Sequence, residues 1–318
     1  MNANCSEIDV TIDSAFPLAG TLSVPCGTVQ PAPAILLISG TGESDRNGNG
    51  SGLNMNIYKD LADALGKMGL VTLRYDKRGT HASGGNFYET GFWDLVEDSR
   101  ACVRFLQSRP EVDPNRIVIL GHSEGAIIAP VVHASQPVQG LMLIAGAFDN
   151  LVHDTMPRQS AQALQEMETA KGIKGFLFRL LKISEKSKKQ NAAFMEQVLS
   201  SATPTFKFKG TKFCAKWFQE HAALNLAEYM KEVSCPLLAI TGSNDIQAPP
   251  EHAKMFAEAV KGEAEWHIVP QMNHVLRKYD TPHTMLGLVK EYKKSIADPI
   301  DAEFIGLLDQ WLRKYKFI

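Results

Sequence analysis

Continuous runs of apolar residues recur along the chain and predict strands that are buried on both faces of a sheet. Such runs are typical of parallel sheets, because helices cover both faces. The amino-terminal pattern is different: residues 7–13 alternate polar and apolar, and residues 18–24 do so more loosely, which predicts a leading antiparallel hairpin. The buried strands are predicted at residues 34–39, 70–76, 117–120, 140–145, 236–242 and 265–269.

Between these runs, apolar residues recur at three- and four-residue spacing, which predicts helices. The predicted helices cover residues 58–67, 92–108, 125–134, 250–260 and 302–315. Strands that alternate with helices favour a mostly parallel, doubly wound sheet with right-handed crossovers. The predicted fold class is therefore α/β, and ligands are expected beyond the carboxyl ends of the strands.

The alternation of strands and helices stops between Asn150 and Val233. Helical spacing of apolar residues continues through this segment, with a break at Thr203 and Pro204. We interpret residues 150–233 as an inserted helical lid. The remaining residues, 1–149 and 234–318, then form the sheet-containing core.

Composition narrows the possible functions and partners. The 318 residues carry a net charge of −2, so no overall electric field favours nucleic acid. The five cysteines include no Cys-x-x-Cys pair, which argues against a disulfide framework or zinc site and suits a reducing compartment. The chain has no apolar run long enough to span a membrane and no signal-peptide pattern near its start. We expect a cytoplasmic protein with no metal or other cofactor and with neither nucleic acid nor membrane as a partner.

Residues 117–128 combine a buried strand, the turn Gly121-His122-Ser123-Glu124-Gly125 and the start of a helix. This order is the sequence form of a nucleophile elbow, in which a serine lies at the tip of a sharp strand-to-helix turn. Gly121 and Gly125 have no Cβ, so the turn can tighten and hold Ser123 in a strained backbone conformation. A serine hydroxyl is a poor nucleophile at neutral pH, so Ser123 requires a base and an acid.

Candidates for the base and the acid follow Ser123 in the chain. Asp245 and His274 each come directly after a predicted strand, as Ser123 does, and the order serine, acid, histidine accompanies this type of elbow. Asp149 also follows a predicted strand and is the alternative acid, whereas His283 is the alternative base. We predict that His274 takes the proton of Ser123 and that Asp245 orients the imidazole ring.

With these motifs the chain resembles the α/β-hydrolase superfamily over nearly its whole length. Residues 40–48 are similar to the Gly-x-Gly-x-x-Asp-Arg-Asp-Gly loop of bacterial carboxylesterases that form a serine-aminopeptidase-like group. Ser39 departs from the pattern, because many relatives have histidine there. The other matching segments are Arg74–Gly79, Gly121–Gly125, Gly242–Asp245 and Asn273–His274.

The resemblance implies an oxyanion hole made of backbone N–H groups. One donor is expected at Glu124 and the other at Thr41, with Gly42 as the second choice. Each such donor is worth roughly 3 to 4 kcal/mol in the transition state. Asp45 and Arg46 are candidates for an ion pair that braces this loop, and the Glu124 side chain either reaches the pocket or is held within the fold.

The predicted lid contains a basic stretch. Residues 171–189 include seven Lys or Arg and one acidic residue, Glu185. A solvated helix face is the simplest interpretation. The alternative is docking of an anionic substrate tail such as the phosphates of an acyl-coenzyme A, with Phe176, Leu177 and Leu181 lining the acyl pocket. The same apolar residues could instead form a homodimer contact.

These features predict a serine carboxylesterase that hydrolyses short- to medium-chain esters of small molecules through an acyl-enzyme on Ser123. A thioesterase or acyltransferase would use the same three residues. A non-catalytic ligand-binding receptor is the alternative from another class, because fold alone does not determine function. The sequence leaves the acyl and alcohol specificity open.

Overall fold

The computed structural model describes residues 5–27, 31–50 and 52–318. The strands are β1 (Cys5–Ile12), β2 (Leu18–Pro25), β3 (Ala32–Ile38), β4 (Asn49–Gly50), β5 (Leu53–Asn54), β6 (Val71–Tyr75), β7 (Val112–His122), β8 (Gly140–Ile144), β9 (Thr205–Phe208), β10 (Thr211–Cys214), β11 (Leu237–Gly242) and β12 (Ala264–Val269). The α-helices are α1 (Ile57–Lys67), α2 (Phe92–Gln107), α3 (Glu124–Ser135), α4 (Met156–Thr169), α5 (Gly172–Leu180), α6 (Ile183–Leu199), α7 (Ala215–Ala223), α8 (Leu226–Met230), α9 (His252–Glu258), α10 (Leu288–Ser295) and α11 (Ala302–Lys314). A 3₁₀ turn (Phe87–Glu89) precedes α2, and a π-helical turn (Leu151–Thr155) precedes α4.

Eight strands form one sheet in the order β1-β2-β6-β3-β7-β8-β11-β12. The pairs from β6 through β12 are parallel, whereas β1 with β2 and β2 with β6 are antiparallel. The predicted fold class is confirmed: the sheet is mostly parallel and begins with an antiparallel hairpin. The carboxyl ends of the parallel strands meet at one edge, which brings together the loops that carry the candidate site.

Alternate residues of the central strands pack into two separate cores, one on each face of the sheet. Leu36 of β3 packs with residues of α2 and α3, whereas its neighbours Ile35 and Leu37 pack with residues of α1 and α11. All seven residues of β3 are buried. The continuous apolar run follows from this geometry, because consecutive side chains point to opposite faces and helices cover both. Each fully buried leucine stabilises the fold by about 2 to 3 kcal/mol.

The segment between β8 and β11 contains a short hairpin in addition to helices, which differs from the expectation of an all-helical lid. Strands β9 and β10 pair antiparallel across Lys209 and Gly210, both of which have positive φ. Such a two-residue turn matches the twist of a hairpin. Phe206 and Phe213 of the hairpin pack on Phe194 of α6, with ring centroids 5.5 and 4.9 Å apart. Apolar and polar residues alternate in β9, and the helical interpretation of the segment overlooked this signal for a strand.

Helix α10 lies in a region for which the sequence predicted no element, and α9 is shorter than predicted.

Among the described residues, no helix is long and apolar enough to cross a membrane.

Candidate active site

Ser123 lies between β7 and α3 with φ of 57° and ψ of −117°, a backbone conformation that non-glycine residues rarely adopt. The glycines on both sides make the turn possible. A Cβ on Gly121 would lie 2.1 Å from the carbonyl oxygen of Gly125, and a Cβ on Gly125 would lie 2.2 Å from that of Ile38. The strained turn holds the Ser123 hydroxyl at the edge of a cavity.

His274 and Asp245 lie beside Ser123 in the order that nucleophilic catalysis requires. The His274 Nε2 atom is 3.1 Å from the Ser123 Oγ atom, and His274 Nδ1 is 2.8 Å from Asp245 Oδ2. The other oxygen of Asp245 accepts the backbone N–H groups of Gln247 and Ala248 at 2.8 and 3.0 Å. A fixed carboxylate keeps the proton on Nδ1, so Nε2 is free to accept the hydroxyl proton of Ser123.

A second hydrogen-bond chain holds the backbone of the histidine loop. Tyr58 Oη accepts the N–H of Gly40 at 2.7 Å and lies 3.0 Å from Nδ1 of His122, to which its hydroxyl donates. His122 then carries its proton on Nε2 and donates it to the carbonyl of His274 at 2.9 Å. Residues of the first loop, the elbow and the histidine loop are therefore linked behind the reacting atoms.

Burial and the nearby His274 lower the pKa of His122 to about 3. The folded state keeps His122 neutral, whereas the unfolded chain binds a proton below its usual pKa of about 6.5. Stability is therefore lost as the pH falls below 6.5. Between pH 7.5 and pH 5 this residue should remove about 2 kcal/mol from the free energy of unfolding. Urea denaturation at the two pH values measures this loss of unfolding free energy. The loss should be about 2 kcal/mol smaller in His122→Asn than in wild type. An equal loss in the two proteins would contradict the assignment.

The alternative acid and base contact other groups. Asp149 accepts the hydroxyl of Thr155 and lies 3.8 Å from Nε2 of His252. His283 is buried and its Nδ1 lies 2.8 Å from a carboxylate oxygen of Glu291. The structure therefore places Asp245 and His274 beside Ser123, whereas Asp149 and His283 each contact other residues.

Lys77 holds the backbone of the first loop, residues 40–50, where the sequence predicts an oxyanion donor. Its ammonium group donates to the carbonyl oxygen of Gly40. The peptide between Gly40 and Thr41 is planar, so its N–H points away from the carbonyl that Lys77 holds. Fixing that carbonyl therefore fixes the direction of the Thr41 N–H. Thr41 and Gly42 both line the cavity at Ser123.

The same Lys77 ammonium forms a buried ion pair with Glu124, at 2.8 Å from its Oε2. The other carboxylate oxygen of Glu124 accepts Nε1–H of Trp217 at 2.6 Å and Nε2–H of His221 at 3.0 Å. Burial by itself would raise the pKa of Glu124, but the Lys77 charge and the hydrogen bond from His221 hold this pKa well below its usual range. The Glu124 side chain is thus held within the fold. It ties the elbow to the first loop and, through α7, to the inserted segment.

The amino-acid sequence that forms this site matches a known protein family. A family model described as serine aminopeptidase, S33, matches residues 48–278, which is more than half of the chain. The chain belongs to this family.

A relative, esterase EstD of Thermotoga maritima, is 26% identical over 310 residues, which cover 97% of this chain and 68% of EstD. Among solved structures, Est1E from Butyrivibrio proteoclasticus with bound ferulic acid has a TM-score of 0.58 at 16% identity, covering 92% of this chain and 99% of Est1E. The esterase Pf2001 of Pyrococcus furiosus has a TM-score of 0.58 at 16% identity, covering 98% of this chain and 92% of that structure. The two structures share the fold. The resemblance to α/β-hydrolases is confirmed, and this S33-family chain is a hydrolase.

One expectation about the family's first loop is wrong. Asp45 and Arg46 do not pair with each other. The Arg46 guanidinium binds Asp76 at 3.0 Å, and the Asp45 carboxylate accepts the backbone N–H groups of Asn47 and Asn49 at 2.9 and 2.8 Å. The physical reason is that Asp45 satisfies the backbone of its own turn, whereas Arg46 reaches the end of β6. The loop is still braced, but by the neighbouring strand.

The cavity at Ser123 has a volume of about 450 Å³. Residues from the π-helical turn, from the start of α4 and from α10 form its far wall; these include Leu151, Met156, Gln159, Leu288, Val289 and Tyr292. Phe176, Leu177 and Leu181 lie elsewhere, contrary to the expectation that they line the acyl pocket. They are 59, 45 and 50% exposed to solvent on α5 and at its end. The helix that follows β8 directly, not α5, provides the wall, because it begins at the carboxyl edge of the sheet.

Sequence reasoning missed the roles of Lys77, Trp217 and His221. Lys77 lies in the segment Arg74–Gly79, whose match to the superfamily was the one available signal. Trp217 and His221 contact Glu124 from 93 and 97 positions away, so no local spacing could reveal them.

Proposed function

We propose that this S33-family hydrolase is a serine carboxylesterase acting on short- to medium-chain esters through an acyl-enzyme on Ser123. The observation that carries the proposal is the continuous hydrogen-bond chain from Ser123 through His274 to Asp245 at the edge of the cavity. Nucleophile, base and acid are each within hydrogen-bond distance of the next, which is the arrangement that acyl transfer needs.

In the proposed reaction, His274 Nε2 takes the proton of Ser123 as Oγ attacks the ester carbonyl carbon. The carbonyl oxygen becomes an oxyanion, which the N–H groups of Glu124 and Thr41 stabilise, with Gly42 as the second choice for the loop donor. The bond to the alcohol oxygen then breaks, and His274 returns the proton to the departing alcohol. Water, deprotonated by His274, attacks the acyl-enzyme and releases the carboxylic acid with Ser123 restored.

The cavity favours uncharged esters. Its far wall is largely apolar, and among the described residues neither lysine nor arginine lines it. The Glu124 carboxylate beside the nucleophile is paired with Lys77, so it is not free to bind an amino terminus, and Glu43, which also lines the cavity, is exposed to solvent. The names of the relatives EstD and Est1E support ester hydrolysis. We also propose a cytoplasmic location, which the free thiols of Cys26, Cys102, Cys214 and Cys235 support.

Ser123→Ala should lower kcat for nitrophenyl butyrate at least ~10⁴-fold, because the acyl-enzyme cannot form. Ser44→Ala is the matched control: Ser44 also lines the cavity and has no part in the proposed reaction, so its activity should stay within about twofold of wild type. Steady-state hydrolysis of a panel of nitrophenyl esters and acyl-coenzyme A thioesters measures both.

Two results of this panel would contradict the proposal. Saturable ligand binding without hydrolysis in wild type and in Ser123→Ala would indicate a receptor. Turnover of the thioesters in strong preference to the esters would indicate a thioesterase.

A further inference from the structure

Helix α5 carries large apolar side chains on a face that is exposed to solvent. Ile173 is 81% exposed and Leu180 is 63% exposed. Apolar residues at a spacing of three and four usually pack a helix on a core. In α5 the side chains at this spacing face solvent instead. We call this set the α5 stripe; its members are Ile173, Phe176, Leu177, Leu180 and Leu181.

The orientation of α5 is fixed by its opposite face. Gly175 is buried, and a Cβ at this position would lie 1.7 Å from the carbonyl oxygen of Ala170. Arg179 also donates to the carbonyl groups of Glu168 and Ala170 at the end of α4, at 3.4 and 3.2 Å. The helix therefore packs through its smallest residue, and rotation of the α5 stripe into the protein would force a larger side chain into the space of Gly175.

Basic residues accompany the α5 stripe along the chain. Within residues 171–189 the seven basic side chains are all exposed, and one acidic residue accompanies them. The chain as a whole carries a net charge of −2, so this stretch is opposite in sign to the rest of the protein. The basic residues are Lys171, Lys174, Arg179, Lys182, Lys186, Lys188 and Lys189.

We propose that α5 and the basic residues around it dock on the surface of an anionic lipid bilayer. An exposed helix with bulky apolar residues on one face and lysines beside them is suited to lie in the plane of a bilayer, with its apolar side chains at the boundary of the acyl chains. Lysines near an anionic leaflet add attraction to the apolar burial. Docking of this kind needs no membrane-spanning segment, and the proposal departs from the sequence-based expectation that a membrane is not a partner.

The positive charge of residues 171–189 favours an anionic bilayer over a second copy of the chain as the partner of the α5 stripe. A two-fold contact through the α5 stripe would place the basic stretch of one copy close to the basic stretch of the other. Like charges at such an interface oppose association. An anionic bilayer instead complements both the apolar stripe and its basic surroundings.

Co-sedimentation with vesicles tests the proposal. Wild type should bind phosphatidylcholine vesicles that contain about one-third phosphatidylglycerol about tenfold or more tightly than vesicles of phosphatidylcholine alone, and high salt should weaken this binding. Ile173→Ser with Leu180→Ser should weaken binding about tenfold by removing apolar burial. Lys174→Glu with Lys182→Glu should abolish the preference for anionic vesicles.

The matched control replaces two exposed apolar residues of the edge strand β12. Trp266 and Ile268 are 42 and 38% exposed, and Trp266→Ser with Ile268→Ser should bind vesicles like wild type. Circular dichroism and thermal unfolding establish that each variant is folded, independently of any esterase activity.

Equal binding of wild type to neutral and anionic vesicles would overturn the proposal, and so would a loss of binding in the β12 control equal to that in the α5 variants. Absence of vesicle binding, with a dimer seen by light scattering that Ile173→Ser and Leu180→Ser dissociate, would assign the α5 stripe to a second copy instead.

Discussion

Asp245→Asn should lower kcat for nitrophenyl butyrate by about 10⁴-fold while leaving the protein folded. The Asp245 carboxylate lies 2.8 Å from Nδ1 of His274 and accepts a hydrogen bond from its N–H. An asparagine amide in that place can donate to Nδ1, which moves the ring proton to Nε2. The ring then has no lone pair for the hydroxyl of Ser123, so the nucleophile loses its base. Steady-state kinetics with a thermal unfolding control measures the effect.

Asp149→Asn is the matched control for this acid. Asp149 also follows a strand of the sheet, but it contacts Thr155 and lies near His252. We expect its activity to remain within about tenfold of wild type, since these contacts shape the wall of the cavity and not the imidazole. A large loss of turnover in Asp149→Asn, together with an active Asp245→Asn, would show that the acid has been misassigned.

Lys77→Met should lower kcat about 100-fold or more and should also destabilise the fold. The substitution releases the carbonyl of Gly40, so the Thr41 N–H is no longer fixed in direction. It also leaves the Glu124 carboxylate buried without its cation, which costs about 3 to 5 kcal/mol in comparable cases. The expected signature is a fall in kcat with little change in KM, because the oxyanion exists only in the transition state and the intermediate. Kinetics and urea denaturation measure the two effects separately.

The double variant Lys77→Met with Glu124→Gln separates stability from activity. Removing both charges should restore most of the lost stability, since no uncompensated charge remains buried. Activity should stay low, because the Gly40 carbonyl still has no anchor. Recovery of kcat in the double variant would show that Lys77 acts only on stability and does not position the Thr41 N–H.

The contribution of the Lys77–Glu124 ion pair to stability depends on pH. The pKa of Glu124 is lowered in the folded state. Its contribution to stability is therefore fully present above the unfolded pKa of about 4.5 and is lost as the pH falls below that value. The double variant should lack this part of the acid sensitivity.

Much of the fold and the positions of the candidate triad could be read from the sequence. Continuous apolar runs such as 34–39 identify strands buried on both faces, because they are short and rich in branched aliphatic residues, and because proline and glycine bound them. Once those strands are parallel, their carboxyl ends share one edge. Ser123, Asp245 and His274 each follow such a strand, and the structure brings Ser123 and Asp245 within hydrogen-bond distance of the two nitrogens of His274.

Hydrophobic spacing was misleading in the inserted segment. The spacing of the α5 stripe is the same as that of a helix packed on a core, and only the contact of Gly175 with Ala170 determines that the stripe faces outward. The residues of β9 and β10 were included in the helical lid although β9 alternates apolar and polar positions, and the structure pairs the two strands as a hairpin across Lys209 and Gly210.

The sequence alone determined the elbow, the strand ends that hold the three residues of the candidate triad, and the class of fold, because these depend on short-range pattern and on the geometry of a parallel sheet. Tertiary structure alone decided what surrounds Ser123. Lys77 meets Glu124 from 47 positions away, and Trp217 meets it from 93. Contacts between residues so distant leave no period in the sequence, so the support for the oxyanion loop and its link to α7 emerge only when the chain is folded.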